Sequence, residues 1–321
     1  MRTSQRLTFS MLLGAASIAH GQTTYPSKPI RMVVASTAGS QPDTIARIIG
    51  QKMNETWGYP VVVDNRAGAQ GIIAASAVAK AVPDGHTLLY APPNLAINAA
   101  TAHKLPYDTF NDLAPVAHVG ISTNVLVAQP SLGAKSLKEF IAIALARPDQ
   151  LILASSTPGS AGYLSGARFN LITGIKALHV PFKGAPEATI EVLAGRAHYH
   201  VGTMGNTLPF IKEKKLVALA VTSPQRSALL PEVPALGEAL PEFARPETSH
   251  GILAPAGTPR PIVNRLNSEI VRILHLPDVR EKLVSISYVI APSTPDEYDK
   301  ILRAQIEALT KVAKDAGIPA N

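Results

Sequence analysis

The stretch VVASTAGSQPDTIAR, residues 33–47, decides the fold class of this chain. Hydrophobic β-formers end at Ala35, a turn of small residues follows, and apolar residues at helical spacing begin near Asp43. A strand that runs through a glycine-containing turn into a helix is the first half of a βαβ unit. The stretch therefore predicts an α/β fold that begins close to residue 30.

The same alternation continues on both sides of this stretch. Ile45, Ile48, Ile49 and Met53 fall on one stripe of the first helix, as expected for a helix that packs on a sheet. The pattern is typical of a doubly wound parallel sheet. The predicted elements are a strand at Ile30–Val34, a helix at Thr44–Thr56, a strand at Pro60–Asp64, a helix at Ile72–Ala81 and a turn with a strand at Pro83–Ala91.

The second half of the chain repeats the alternation of strands and helices. Ser136 and Glu139 form the sequence signature of a capping box at the start of one helix. The predicted strands are Val125–Ala128, Leu151–Ala154, Leu178–Val180, Ala197–Val201, Val217–Val221, Ile252–Leu253 and Tyr288–Ile290. The predicted helices are Ser136–Arg147, a helix that ends at about Thr173, Ala185–Ala194, Pro261–Leu274, Pro277–Val284 and Pro295–Ala316.

The length of the chain predicts two lobes, because about 300 residues exceed one typical hydrophobic core. We expect the chain to enter the second lobe near residue 124 and to return near residue 250. Domain 1 then comprises residues 22–123 and 251–321, and domain 2 comprises residues 124–250. Ligands of open α/β sheets bind at the carboxyl ends of the strands, so a hinged cleft between the lobes is the expected site. We find no internal repeat in the sequence.

The first 21 residues have the pattern of a secretory signal peptide. Arg2 and Arg6 precede the short apolar run Leu7–Ala19, and Ala19-His20-Gly21 is a small-x-small cleavage site. A transmembrane anchor is disfavoured because the run is too short to cross the hydrocarbon core. Cleavage before Gln22 removes two arginines and lowers the formal net charge from +7 to +5. The expected location is the periplasm.

The composition excludes several classes of protein. The chain contains no cysteine, which excludes disulfides, thiolate chemistry and a cysteine-linked lipid anchor. The most basic run, KEKK at residues 212–215, is typical of a solvated helix end and does not indicate binding of nucleic acid.

Four turns rich in Gly, Ser or Thr follow predicted strands, two in each lobe. Backbone N–H groups at the start of a helix are unpaired and bind anions, and small residues let an anion approach them. One such turn alone is an ordinary connection, but four at strand ends favour a common anion site. Asp43 is expected at the cap or in the first turn of its helix. The turns are Ser36–Ser40, Asn65–Gly71, Ser155–Gly162 and Gly202–Asn206.

Other chemistries find weak support in the sequence. The first helix start contains neither a P-loop nor a GxGxxG fingerprint. Ser160 and Ser156 are candidate nucleophiles of an exported hydrolase, but TPGSAG is not a GxSxG elbow. His198 and His200 would share one face of a strand, yet no carboxylate cluster accompanies them, so no metal and no cofactor are expected. Tyr90 and Tyr163 are candidate apolar walls of the cleft.

An ordered set of motifs resembles the Bug-type receptors of tripartite tricarboxylate transporters, which are periplasmic solute-binding proteins of bacteria. The resemblance covers nearly all of the chain after residue 21. Its motifs are YPSKPIRMVV, VVVDNRAGAQG, AKAVPDGHTLLY, KLPYDTFNDLAPVAHVG, HVPFKGAPEA, LAGRAHYHVGT, LVALAVTSPQRS and GILAPAGTPRPIVNRLNSEI.

The resemblance implies a two-lobed type II periplasmic-binding-protein fold that closes on a small carboxylate. It implies a monomeric receptor that delivers its ligand to the membrane subunits of a transporter, with no catalytic residue and no nucleic-acid partner. A ligand-sensing partner of a membrane sensor kinase would share the same cleft. The ligand-binding positions carried over are Thr37, Ala38, Gly39, Ser40, Ala69, Thr157, Gly159, Ser160, Gly162, Gly202 and Thr203.

Some positions depart from the pattern of that family. Ser36, Gln41 and Pro42 change its first loop, and Ser249-His250 stands where an aromatic residue is common. His198 stands where the family often has Asp or Gln. Gly202 stands where some members have an acid that could meet a ligand amine. We therefore expect a plain monocarboxylate or dicarboxylate, aromatic ones included, in preference to an amino acid.

Overall fold

The structure, a computed structural model, describes residues 25–102, 104–243 and 249–315. The predicted signal peptide lies outside these residues, and so does Ala316 at the end of the last predicted helix. Within the described ranges, we find no helix with the length and apolar character that a membrane span requires.

The described residues form eleven strands and eleven α-helices, which alternate except where β5 follows β4 and α10 follows α9. The strands are β1 (Ile30–Val34), β2 (Val61–Asn65), β3 (Thr87–Ala91), β4 (Leu113–Ser122), β5 (Asn124–Ala128), β6 (Leu151–Ser155), β7 (Ala177–Pro181), β8 (Tyr199–Thr203), β9 (Val217–Val221), β10 (Ser249–Pro255) and β11 (Tyr288–Ile290). The helices are α1 (Gln41–Trp57), α2 (Ile72–Ala79), α3 (Asn94–Thr101), α4 (Leu137–Leu145), α5 (Ala161–Thr173), α6 (Ala185–Leu193), α7 (Met204–Lys212), α8 (Leu236–Ala239), α9 (Arg260–Leu274), α10 (Pro277–Ser285) and α11 (Pro295–Asp315).

The strands form two separate sheets, one in each lobe. The first sheet has six strands in the order β11-β4-β10-β3-β1-β2, and the second has five in the order β7-β6-β8-β5-β9. Strands β2, β1 and β3 are parallel, as the opening βαβαβ pattern predicts. Both sheets are nevertheless mixed, because β10 runs antiparallel between β3 and β4 and β5 runs antiparallel between β8 and β9. The two-lobed α/β fold is confirmed.

Each sheet carries its own hydrophobic core. In the first lobe, Ile45, Ile49 and Met53 of α1 are fully buried, so the predicted apolar stripe of this helix packs on the sheet. In the second lobe, Phe140 and Phe169 pack with ring centroids 6.2 Å apart beneath the sheet. Apolar packing also joins the lobes, because Leu164 of α5 in the second lobe is buried in a cluster with Val33 and Tyr298 of the first lobe.

Strand β4 is the main element that the sequence did not predict. Its ten residues contain Pro115 and Gly120, which are both depleted in strands. It also lies between β10 and β11 and is buried along most of its length, so its residues do not alternate between apolar and polar. Helix α7 was missed for a related reason, because Pro209 lies inside it.

The chain leaves the first sheet between Ser122 and Asn124, which end β4 and begin β5. It is back in the first sheet at Ser249, where β10 begins. The predicted crossing near residue 250 adjoins residues 244–248, which lie outside the described ranges. The domain boundaries at residues 123/124 and 250/251 stay a prediction.

Two local predictions concern helix ends. Ser136 caps α4, and its side chain accepts a hydrogen bond from Glu139 N at 3.2 Å. In a capping box, the Glu139 side chain would accept in return from the backbone N–H of Ser136. Here Glu139 Oε2 accepts from Lys135 N instead, which is one residue earlier than predicted. Residues 212–215 are exposed at the end of α7, as expected of a solvated basic run.

Candidate functional site

A cavity of about 750 Å³ lies between the two lobes. Its walls come from loops that follow β1 and β3 of the first sheet and β6 and β8 of the second sheet. Ser122, Thr123 and Asn124, where the chain passes between the sheets, also line it. The cavity therefore occupies the position that strand topology predicts for a ligand site.

Five helices begin at the wall of this cavity: α1, α3, α5, α6 and α7. The first N–H groups of a helix have no partner within the helix, and the helix dipole makes them positive. No Lys, Arg, Asp or Glu is among the described residues that line the cavity. An anion here would be held by neutral donors and not by an opposite charge.

The loop before α1 is held in place by a buried carboxylate. Asp43 Oδ2 accepts a hydrogen bond from Gly39 N at 2.8 Å, and Asp43 Oδ1 accepts one from Asn65 Nδ2 at 2.9 Å. Burial alone would raise the pKa of Asp43, but its bonds to Arg47, Gly39 and Asn65 outweigh it and lower that pKa. Asp43 thus lies in the first turn, one of its two expected places, while Ser40 is the cap.

The loop before α5 repeats the loop before α1. Residues 36–40 read Ser-Thr-Ala-Gly-Ser and residues 156–160 read Ser-Thr-Pro-Gly-Ser. The glycines have φ angles of 77° and 76°, and the outer serines are joined through their hydroxyls at 2.8 Å and 2.6 Å. The last serine of each loop occupies the N-cap position of a helix, and the side chain of Ser160 also accepts a hydrogen bond from Tyr163 N. The sequence-based prediction of no internal repeat is therefore wrong for this five-residue loop, which has one copy in each lobe.

A hydrogen-bonded chain of side chains forms part of the cavity wall. Ser122 Oγ donates to Gln41 Oε1 at 2.6 Å and lies 2.5 Å from His250 Nε2. Because the Ser122 proton goes to Gln41, His250 Nε2 is the donor of the second bond. His250 Nδ1 then accepts from Tyr90 Oη at 3.3 Å. These hydrogen bonds link the start of α1 to β4, the strand at whose end the polypeptide leaves the first sheet, and to β10, the strand with which it returns.

Buried histidines make the stability of the fold depend on pH. Burial lowers the pKa of His250 to about 3 and that of His200 to about 4. A histidine in the unfolded chain titrates near 6.5, so between pH 6.5 and 4 the unfolded state binds more protons. The free energy of unfolding therefore falls as the pH falls through this range.

We predict that His200→Gln lowers the slope of this dependence. Between pH 6 and pH 5, each such histidine contributes about 1 kcal/mol per pH unit. Urea unfolding of the wild type and of H200Q at several pH values measures the two slopes. A slope in H200Q equal to that of the wild type would contradict a neutral, buried His200, whatever the variant does to stability itself.

Five of the predicted ligand-binding residues line the cavity: Gly39, Ser40, Ser160, Gly162 and Thr203. The others lie outside its lining, although they belong to the same loops. Thr37, Ala38, Ala69 and Thr157 are exposed, and Gly159 and Gly202 are buried. A ligand-binding role for any of these positions stays a prediction.

Several lining residues were not predicted. The turn Pro92-Pro93-Asn94 follows β3 and starts α3, but it contains no Gly, Ser or Thr, so the composition that selected the other strand-end turns did not select it. Ser122 and Ser285 carry no comparable signal in the sequence. Tyr90 and Tyr163 were wrongly predicted as cleft walls. Tyr90 is fully buried, and Tyr163 stacks on His179 with ring centroids 4.1 Å apart.

The geometry does not favour a hydrolase. Ser160 Oγ is bonded to Ser156 Oγ and accepts from Tyr163 N, and neither bond involves a base. His250 does contact Ser122, but a pKa of about 3 makes it a poor base near neutral pH. His198 Nδ1 accepts from Ile152 N at 2.9 Å, as expected of a structural histidine. No cluster of possible metal ligands occurs among residues 25–102, 104–243 and 249–315.

Comparison with known proteins identifies the family. Residues 45–318 match the model of the family described as "Tripartite tricarboxylate transporter family receptor", TctC. The chain belongs to this family. TctC proteins are solute-binding receptors and not enzymes, so the resemblance stated from the motifs is confirmed and the hydrolase reading is wrong.

Other proteins are similar to this TctC receptor over nearly its whole length. Protein BugT of Bordetella pertussis (strain Tohama I / ATCC BAA-589 / NCTC 13251) is 34% identical over 297 residues, which are 92% of this chain and 91% of BugT. The structure of R. palustris Rpa4515 with adipate has a TM-score of 0.78 and 32% identity, and covers 92% of this chain and 99% of its own. MatC (Rpa3494) from Rhodopseudomonas palustris with bound malate has a TM-score of 0.72 and 31% identity, and covers 90% and 99%.

Proposed function

We propose that this TctC-family receptor captures a small dicarboxylate in the periplasm by closing its two lobes and delivers it to a tripartite tricarboxylate-type membrane transporter. The observation that carries the proposal is the cavity in which five helix N-termini converge without a charged side chain among the described lining residues. Neutral N–H donors suit carboxylates, and a closed cleft strengthens such bonds by excluding water.

The repeated loop favours two carboxylates over one. Residues 36–40 and 156–160 give each lobe a helix start with serine at the N-cap position and the same backbone shape. A ligand with an anionic group at each end can engage both loops at once. Such a ligand favours the closed state, because only that state offers both sets of contacts. The adipate of Rpa4515 and the malate of MatC are dicarboxylates and support this choice.

The cavity also argues against amino-acid ligands. An ammonium group needs a carboxylate or several carbonyl groups, and no Asp or Glu is among the described lining residues. We accordingly propose the cleft positions Gly39, Ser40, Ser160, Gly162 and Thr203 as the direct ligand contacts. The domain boundaries at residues 123/124 and 250/251, the monomeric state and the cleaved signal peptide complete the proposal.

A thermal-shift screen of residues 22–321 tests the proposal. We expect unbranched dicarboxylates of four to eight carbons to raise the Tm, because a ligand that binds only the folded state stabilises it by mass action. Monocarboxylates, tricarboxylates, aromatic acids and the acidic amino acids complete the panel. Titration calorimetry then gives the affinity of each compound that shifts the Tm. Tight binding of aspartate or glutamate, with no response to plain dicarboxylates, would contradict the proposal.

A further inference from the structure

The side chain of Gln70 forms a hydrogen bond across the cleft. Gln70 follows β2 of the first lobe, and its Nε2 donates to the main-chain oxygen of Pro158 in the second lobe at 3.3 Å. Pro158 belongs to the loop of residues 156–160, whose outer serines line the cavity. The bond therefore ties a cavity loop of one lobe to the other lobe.

The backbone beneath Gln70 is strained. Four consecutive residues, 68–71, have positive φ angles of 119°, 43°, 51° and 89°. The left-handed region suits Gly68 and Gly71, but it is unfavourable for Ala69 and Gln70. Strain of this kind persists only where neighbours hold the chain, and it is common at ligand clamps. Here Asn98 Nδ2 donates to the Gln70 main-chain oxygen at 3.0 Å.

The side-chain amide of Gln70 is only half satisfied. Its Oε1 is buried without a hydrogen-bond partner among the described residues, while its Nε2 reaches Pro158. A buried acceptor without a partner is unfavourable. The arrangement thus favours contact across the cleft through the bond of Nε2 and opposes it through the unpaired Oε1. Such a balance allows the contact to form and to break.

We propose that Gln70 is a reversible latch that holds the two lobes together and sets how long a ligand stays in the cleft. The proposal rests on the proposed function in one respect, since residence time requires a ligand. Its structural part does not, because the bond from Gln70 to Pro158 joins protein groups only. Removing the donor should shift the ligand-free protein towards open forms and speed up ligand release.

The latch can be tested first without any ligand. Because the chain contains no cysteine, Lys80→Cys and Lys138→Cys place one spin label on each lobe at exposed positions. Pulsed EPR then reports the distribution of distances between the lobes. Gln70→Met keeps the length of the side chain and removes the donor. One hydrogen bond corresponds to a population change of about two- to tenfold towards longer distances.

Gln51→Met is the matched control, because Gln51 lies on the exposed face of α1, where its Nε2 donates to Glu55 Oε1 at 2.9 Å. It should leave the distances unchanged. Gln70→Asn is a second latch variant, since Asn tolerates the left-handed region and its arm is one methylene shorter. It should open the lobes as Gln70→Met does. Equal distributions in the wild type and both Gln70 variants would overturn the latch, and so would an equal shift in Q51M.

Ligand release gives the second measurement. With a dicarboxylate that binds the wild type, stopped-flow displacement should show release about two- to tenfold faster in Q70M than in wild type or Q51M, with a smaller change in association. Unchanged release would overturn the role in residence time. If no carboxylate binds the wild type, the proposed function fails, while the EPR distances still decide whether the latch exists.

Discussion

Gly39→Val is expected to weaken dicarboxylate binding by about 100-fold or more while the protein stays folded. Gly39 has a φ angle of 77°, a conformation in which a β-branched residue is a strained outlier. To relieve that strain, the turn must change its backbone shape and move the N–H groups at the start of α1. Loss of one or two hydrogen bonds to a charged ligand group accounts for the expected factor.

Gly133→Val is the matched control for this prediction. Gly133 has a φ angle of 76°, and a Cβ added there, as at Gly39, would meet no atom within 4 Å. It does not line the cavity. Both variants should therefore lose a similar 1–2 kcal/mol of stability, which is about the strain of one left-handed residue. Calorimetric titration that finds equal affinities in the two variants would refute the position of the ligand site.

The sequence predicted the elements whose local pattern is strong. The stripe of α1, the parallel pairing of β1 to β3 and the strand-end turns follow from periodicity and small-residue composition. These signals are local, so they survive without knowledge of the tertiary fold. The same rules failed for β4, whose burial on both sides and Pro115 hide the alternation of a strand. Pairing with β10 and β11 overrides those local preferences.

The candidate site was predicted in part for the same reason. Turns at the ends of strands can be read from sequence, and five of the positions carried over from the family line the cavity. Ser122 and His250 could not be found in this way, because they lie 128 residues apart and meet only through the pairing of β4 and β10. The contact between Gln70 and Pro158, 88 residues apart, is equally invisible to a local pattern.

Gly251→Ala is expected to lower the free energy of unfolding by about 3 kcal/mol or more, which is the upper range for overpacking a core. A Cβ at this position would lie 2.1 Å from Cζ and Oη of Tyr298, whose ring is buried against β10. The ring cannot move freely, because α11 packs along β4 and α3. Gly205→Ala is the control, because this substitution should not lower the free energy of unfolding. Gly205 lies in α7 with open space around it, so alanine should be neutral or slightly stabilising.

A double-mutant cycle tests the cause of the Gly251 effect. Tyr298→Ala alone leaves a cavity and is expected to cost about 3–5 kcal/mol. In its presence, Gly251→Ala should cost little, because the ring that the methyl group would meet is gone. Urea unfolding of the four proteins gives the coupling energy, expected at about 2 kcal/mol or more for residues in such close contact. Additive effects would mean that the approach of Tyr298 is not the reason for glycine at this position. Glycine would then be required by the backbone conformation of β10 at the register shift between His250 and Gly251.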